Sequence, residues 1–133
     1  MFSHVMIGAN DLVAMVTFYD AVLTTLGLAR NPVQPLDCPA GVIWQRRGQR
    51  WPQFALRRPF DGRPATVGNG VQISFAAASR EEVVAAWQTA IAYAGSDEGT
   101  PSIRQQYSED FFAAYCRDPE GNKLCFVHAQ NLP

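Results

Sequence analysis

The side chains of this chain that could do chemistry are few and far apart, so their types carry the reading. The histidines are His4 and His128, and the cysteines are Cys38, Cys116 and Cys125. An imidazole becomes a general base when a carboxylate stands close by; His4 has none in sequence, which favours a structural or hydrogen-bonding role. Three cysteines without Cys-x-x-Cys spacing give neither a disulfide framework nor a structural zinc site. They read as reduced thiols packed as small hydrophobes, with a bond between Cys116 and Cys125 conceivable but disfavoured in a reducing compartment. Gln72 offers a donor and an acceptor that suit a ligand carbonyl or amide. Tyr107, Phe111, Phe112 and Tyr115 form an aromatic cluster that is mostly core, and the two tyrosines carry polar tips suited to a cavity mouth.

Composition sets the frame for these groups. With 133 residues, 47% hydrophobic and 17% charged, the chain can bury one core and is short for two. A net charge of -1 and a pI near 6.1 give no reason to expect nucleic acid or an anionic membrane as partner. No apolar run approaches the roughly 20 residues of a membrane-spanning helix, and Met-Phe-Ser-His lacks the start of a signal peptide. A soluble, cytoplasmic protein is expected.

Regular elements must hold these groups, and the chain repeats one plan. Residues 3–9 alternate like a strand, and after Asn10-Asp11 the residues Leu12, Met15, Tyr19, Val22, Leu23 and Leu26 recur at helical spacing. That predicts a helix over about 11–26, ended by Gly27. Later Val71, Ile73 and Phe75 alternate with Gln72, Ser74 and Ala76. There Ser79-x-x-Glu82 is a capping box ahead of Val83, Val84, Trp87, Ile91 and Ala94, and Gly95 closes the helix. Strand-like runs follow each helix, at about 41–47 and 52–58 and again at about 111–117 and 122–128. Residues 29–40 and 96–109 are harder to assign, each with room for an irregular strand. Pro59 to Gly70 shows no periodicity and reads as a connector. Between the last two runs, Asp118, Pro119 and Gly121 suit a type I turn, so those runs should pair as a hairpin.

The Asp-Pro-Glu-Gly-Asn turn and the repeated strand-helix-strands plan resemble the vicinal oxygen chelate superfamily, the glyoxalase, bleomycin-resistance and extradiol dioxygenase group, over essentially the whole chain. The resemblance implies an α+β fold of two βαβββ modules forming a curved mixed sheet around a small-molecule pocket. It divides a single domain, 1–133, into module one at about 1–58, a connector at about 59–69 and module two at about 70–133. A homodimer is also expected, since such sheets bury apolar surface between subunits. In that family the metal ligands come from the first and last strands of each module. His4 matches the first-strand position and Gln72 stands 68 residues on; Cys125 stands where the closing strand usually presents a Glu. The same step back from Cys125 lands on Arg57, an assignment that insertions would move by a residue or two.

Hard divalent ions want several oxygen ligands, while nickel or zinc wants imidazole, carboxylate or thiolate. One imidazole, an amide, a thiol and a fixed positive charge make a poor set. The expected pocket groups are therefore His4, Arg57, Gln72, Tyr107, Tyr115 and Cys125, with no cofactor, and a divalent metal at His4 as the alternative. Cys125 would be a nucleophile only if His4 or Arg57 favoured its thiolate; packing is the favoured role. Whichever of Arg57 and Arg58 faces the cavity would suit a carboxylate, phosphate or phenolate. The loop from Gly99 to Asp110 resembles a family segment that often covers the pocket and carries histidines; here it has Arg104, Gln105, Gln106 and Ser108. The function expected is binding of a small organic molecule without the usual metal. The rivals are a diverged metal-dependent lyase, isomerase or dioxygenase, and a dimeric scaffold with a vestigial pocket.

Overall fold

The computed structural model describes residues 1–31 and 41–133. In the first module β1 (His4–Gly8) leads to α1 (Leu12–Thr25), whose N-terminus is capped by Asp11 accepting from the Ala14 N–H at 3.0 Å. Helix α1 buries Met15, Phe18, Tyr19, Val22 and Leu23, the stripe expected from their spacing. Gly27 follows at φ 77°, a left-handed position that suits glycine just beyond a helix. Then come β2 (Leu28–Arg30), β3 (Val42–Arg46) and β4 (Gln53–Arg57). Strand β2 enters the segment 29–40, where an irregular strand is expected, only at residues 29 and 30; residues 32–40, Cys38 among them, lie outside the described residues.

The second module repeats the order with β5 (Gln72–Ala76), α2 (Arg80–Ala92), β6 (Ser96–Ile103), β7 (Phe112–Arg117) and β8 (Lys123–His128). Its capping box is reciprocal, with the Glu82 N–H donating to Ser79 Oγ at 3.2 Å and the Ala78 N–H donating to Glu82 Oε2 at 2.7 Å. Pairing of β6 with β7 shifts register between Asp97 and Gly99 and again between Gly99 and Ser102. Those irregularities break the alternation on which sequence reading depends.

Each module forms its own four-stranded mixed sheet, ordered β1-β4-β3-β2 and β5-β8-β7-β6. The β1–β4 and β5–β8 pairs are parallel and the remaining pairs antiparallel, which leaves β1 and β5 as edge strands. Both helices cover the same side of their sheets. One core cluster draws on both modules, including Phe18, Tyr19, Trp44, Phe54, Val83, Leu124 and Phe126. Phe54 of the first sheet meets Phe75 of the second edge-on, with ring centroids 5.3 Å apart. Among the described residues no helix is long and apolar enough to cross a membrane.

The expected turn at Asp118 forms, with the Gly121 N–H donating to the Asp118 carbonyl at 3.0 Å. It also fastens the modules together. The Asp118 carboxylate accepts from the Tyr19 hydroxyl at 2.6 Å, from Asn122 Nδ2 at 2.8 Å, and from the Glu120 and Asn122 N–H groups at 2.9 and 3.0 Å. Glu120 reaches the start of α1, where its carboxylate accepts from the Asn10 and Asp11 N–H groups at 2.8 Å each.

Candidate functional site

Alternation along the strands gives every sheet a helix-covered side and an open side. In the second sheet Leu124 and Phe126 join the main core, while Cys125 and Val127 pack on the other side with Ala113, Phe111 and Tyr115. Cys116 belongs to the core side and Cys125 to the open side, so the two thiols cannot bond and both are free. In the first sheet Phe54 and Leu56 face the core, which places Gln53, Ala55 and Arg57 on the open side together with His4 and Met6. Arg57, rather than Arg58, therefore shares that face.

The second sheet brings three of the six expected pocket residues into one polar row. Ser74 stands opposite Cys125 in the β5–β8 register, and Tyr115 stands opposite Cys125 in the β7–β8 register. The Ser74 and Tyr115 side chains therefore flank the Cys125 thiol, and Gln72 Nε2 donates to Ser74 Oγ at 3.1 Å. Desolvation pushes the Cys125 thiol up; the two hydroxyls and the charges of Arg104 and Lys123 pull the other way without reversing it. The raised thiol is a poor nucleophile near neutral pH. Tyr115 is pushed up to about 12, chiefly by desolvation and next by Cys125, so it stays a phenol. Arg104 and Lys123 lie over its ring, 5.3 and 5.6 Å from the centroid. Sequence reading missed both cations. Arg104 follows a strand of broken register, and its contact with Tyr115 has no periodic signature.

The other three expected residues do not join this group. His4 is exposed on the first sheet, with Nδ1 2.9 Å from Ser3 Oγ and its ring 6.5 Å from that of Trp51. Arg57 lies over Phe60 at 5.9 Å, and its Nε donates to the Arg58 carbonyl at 3.2 Å. Tyr107, 65% exposed, packs on Phe111 at 5.0 Å.

Register also corrects the fourth metal corner. Gln53 is opposite His4 and Lys123 is opposite Gln72, so the closing strands are offset by 70 residues, not 68. Ala55, not Arg57, is the counterpart of Cys125. The corners are then one imidazole, one methyl, one amide and one thiol. No group of three or more His, Cys, Asp or Glu side chains able to hold a metal occurs among the described residues. These residues do not fit the divalent metal of the family.

A cavity of about 640 Å³ has Ser74, alone of the polar row, in its lining. It opens between the modules and is lined by Val5, Leu28, Arg46, Phe54, Ile73 and Phe75 among others, and by none of the six expected pocket residues. Five of the six lie on sheet strands and Tyr107 lies on the turn at 105–107; Cys125 is already buried, while His4, Gln72 and Tyr107 are exposed. The β1 and β5 edges do not join.

Comparison with known proteins agrees with this architecture. None of the curated proteins matches the chain. Among solved structures, a glyoxalase/bleomycin resistance protein from Albidiferax ferrireducens T118 is 39% identical, with a TM-score of 0.80 over 97% of this chain and 98% of that one. A glyoxalase-related enzyme from Fulvimarina pelagi, 16% identical, superposes with a TM-score of 0.73 over 100% of this chain and 91% of that one, a likeness of fold. The model of the glyoxalase-like domain matches residues 4–127, and with it this chain belongs to the glyoxalase-like domain family, within the vicinal oxygen chelate superfamily of glyoxalases, bleomycin-resistance proteins and dioxygenases.

Proposed function

We propose that this chain is a small-molecule-binding member of its family that works without the usual divalent metal. The observation that carries this reading is that the positions of the metal-ligating set fall in a polar row, Gln72, Ser74, Cys125 and Tyr115, on the open side of the second sheet. Such a row can orient a ligand and supplies no anionic donor to a cation. Elemental analysis of protein purified without chelator tests it. Metal well below one equivalent is expected; stoichiometric nickel, zinc, iron or manganese would overturn the reading in favour of a lyase, isomerase or dioxygenase. Ligand-induced thermal stabilisation without added metal is the second expectation. No shift across a broad panel of metabolites counts against binding and favours a scaffold.

The proposal includes a homodimer. Support comes from the β1 and β5 edges, which are unpaired and flanked by apolar side chains, Met6 at 52% and Val71 at 55% exposure. A second copy would cover them and wall in the open faces. Light scattering behind a sizing column should give twice the chain mass at micromolar concentration; the mass of one chain would remove this part of the proposal.

A further inference from the structure

We infer that the open side of the second sheet selects a small organic anion, held by Arg104 and Lys123 beside Tyr115, an inference that rests on the reading of this face as a ligand site. Both cations lie over one phenol ring, at 5.3 and 5.6 Å from its centroid. Two positive charges are thus brought to one ring, and an anion beside that ring is attracted by both. No carboxylate of the described residues supplies it. The ion pairs among those residues join Arg30 to Asp20 and Arg117 to Glu98. Asp97 is taken by Trp87 Nε1 and the Gly99 N–H, and Asp110 by Ser108 and the Gln130 N–H. Residues 70–133 hold more acidic than basic side chains, so these cations are not part of a generally basic surface.

Arg104 is also short of acceptors. Its Nη2 donates to the Thr100 carbonyl at 2.7 Å, whereas its Nε is buried and has no hydrogen-bond partner. Gly99 makes room for this arrangement, since a Cβ there would come to 3.0 Å from Arg104 Nη2 and 3.1 Å from Tyr115 Cδ2. The guanidinium and the ammonium are the charged partners offered to the anion. The partly exposed rings of Phe111 and Tyr115 offer the apolar surface for the ligand's body. The class indicated is a carboxylate or phosphonate on a small ring or short chain.

Titration of the metal-free chain with benzoate, phenylphosphonate and neutral benzamide, followed by backbone amide NMR, tests the inference. The anions should shift the signals of residues 99–104, 115 and 123 saturably, and benzamide should bind at least tenfold more weakly. Arg104→Gln and Lys123→Gln should each weaken the anions about tenfold and leave benzamide unchanged, with Arg57→Gln as a control without effect. Raising the salt concentration should weaken the anions alone. Benzamide binding this face as tightly as benzoate would overturn anion selection while leaving the ligand site standing. So would anion shifts that map to Arg57 instead. Saturable binding by none of the three would overturn the inference and count against the ligand site as well. If a variant fails to fold, the comparison of benzoate with benzamide on the parent chain decides.

Discussion

Asp118 is 3% exposed and its carboxylate receives hydrogen bonds from Tyr19, Asn122 and the turn backbone, so it is a buried charge satisfied from two modules. Removing one donor leaves part of that charge unsolvated. Tyr19→Phe should lower stability by about 1–3 kcal/mol in urea unfolding, and an unchanged midpoint would show that the bond contributes nothing net. The thiols make a separate test. Cys116 is pushed up to about 12, chiefly by desolvation, and Cys125 is raised as well. Peptide mapping after iodoacetamide at pH 8 should find both unlabelled in the folded chain and labelled after denaturation; rapid labelling of Cys125 in the folded state would revive a nucleophilic role.

At the scale of elements, the closing turn caps the helix of the other module. Glu120→Ala removes the acceptor of the Asn10 and Asp11 N–H groups and should cost about 1–2 kcal/mol, comparable to loss of a helix cap. Gly41 is a stricter requirement. It sits at φ 94°, and a Cβ there would fall 1.9 Å from the Leu56 carbonyl oxygen, so Gly41→Ala should prevent the β3–β4 hairpin from closing and yield little soluble protein. Gly27→Ala, at φ 77° with open space around it, should cost only about 1 kcal/mol in the same assay. The helices, their caps and the Asp118 turn were legible because local rules govern them. Strand β6 was not, because its register slips twice and no alternation survives.

At the scale of the molecule, buried groups that stay protonated tie stability to pH. The Cys116 thiol and the Tyr19 hydroxyl, raised by desolvation and then by Asp118, keep their protons in the folded chain where the unfolded chain would release them. Their contribution is present in full below about pH 8.5 and is lost as pH rises toward 12. Each such group should cost up to a tenfold loss in the folding equilibrium constant per pH unit in that window, and Cys116→Ala should flatten the part of the slope that begins near pH 9. Burial opposes ionisation of Asp20, but hydrogen bonds from Arg30 and Trp44 outweigh it and hold its carboxyl below the usual range. That contribution is present above about pH 4 and is lost as pH falls further.

The sequence by itself determined the two helices, the strands of regular alternation and the two-module plan, because period, caps and turn residues are local properties. It also showed that a thiol and an amide stand at positions where the family's metal ligands are expected, since residue types alone decide which donors exist. Only the tertiary structure decided which groups meet. The shift of offset from 68 to 70, the row from Ser74 through Cys125 to Tyr115, and the folding of Arg104 over that ring all depend on register between strands distant in sequence. Register is set by packing across the whole core, and no spacing along the chain encodes it.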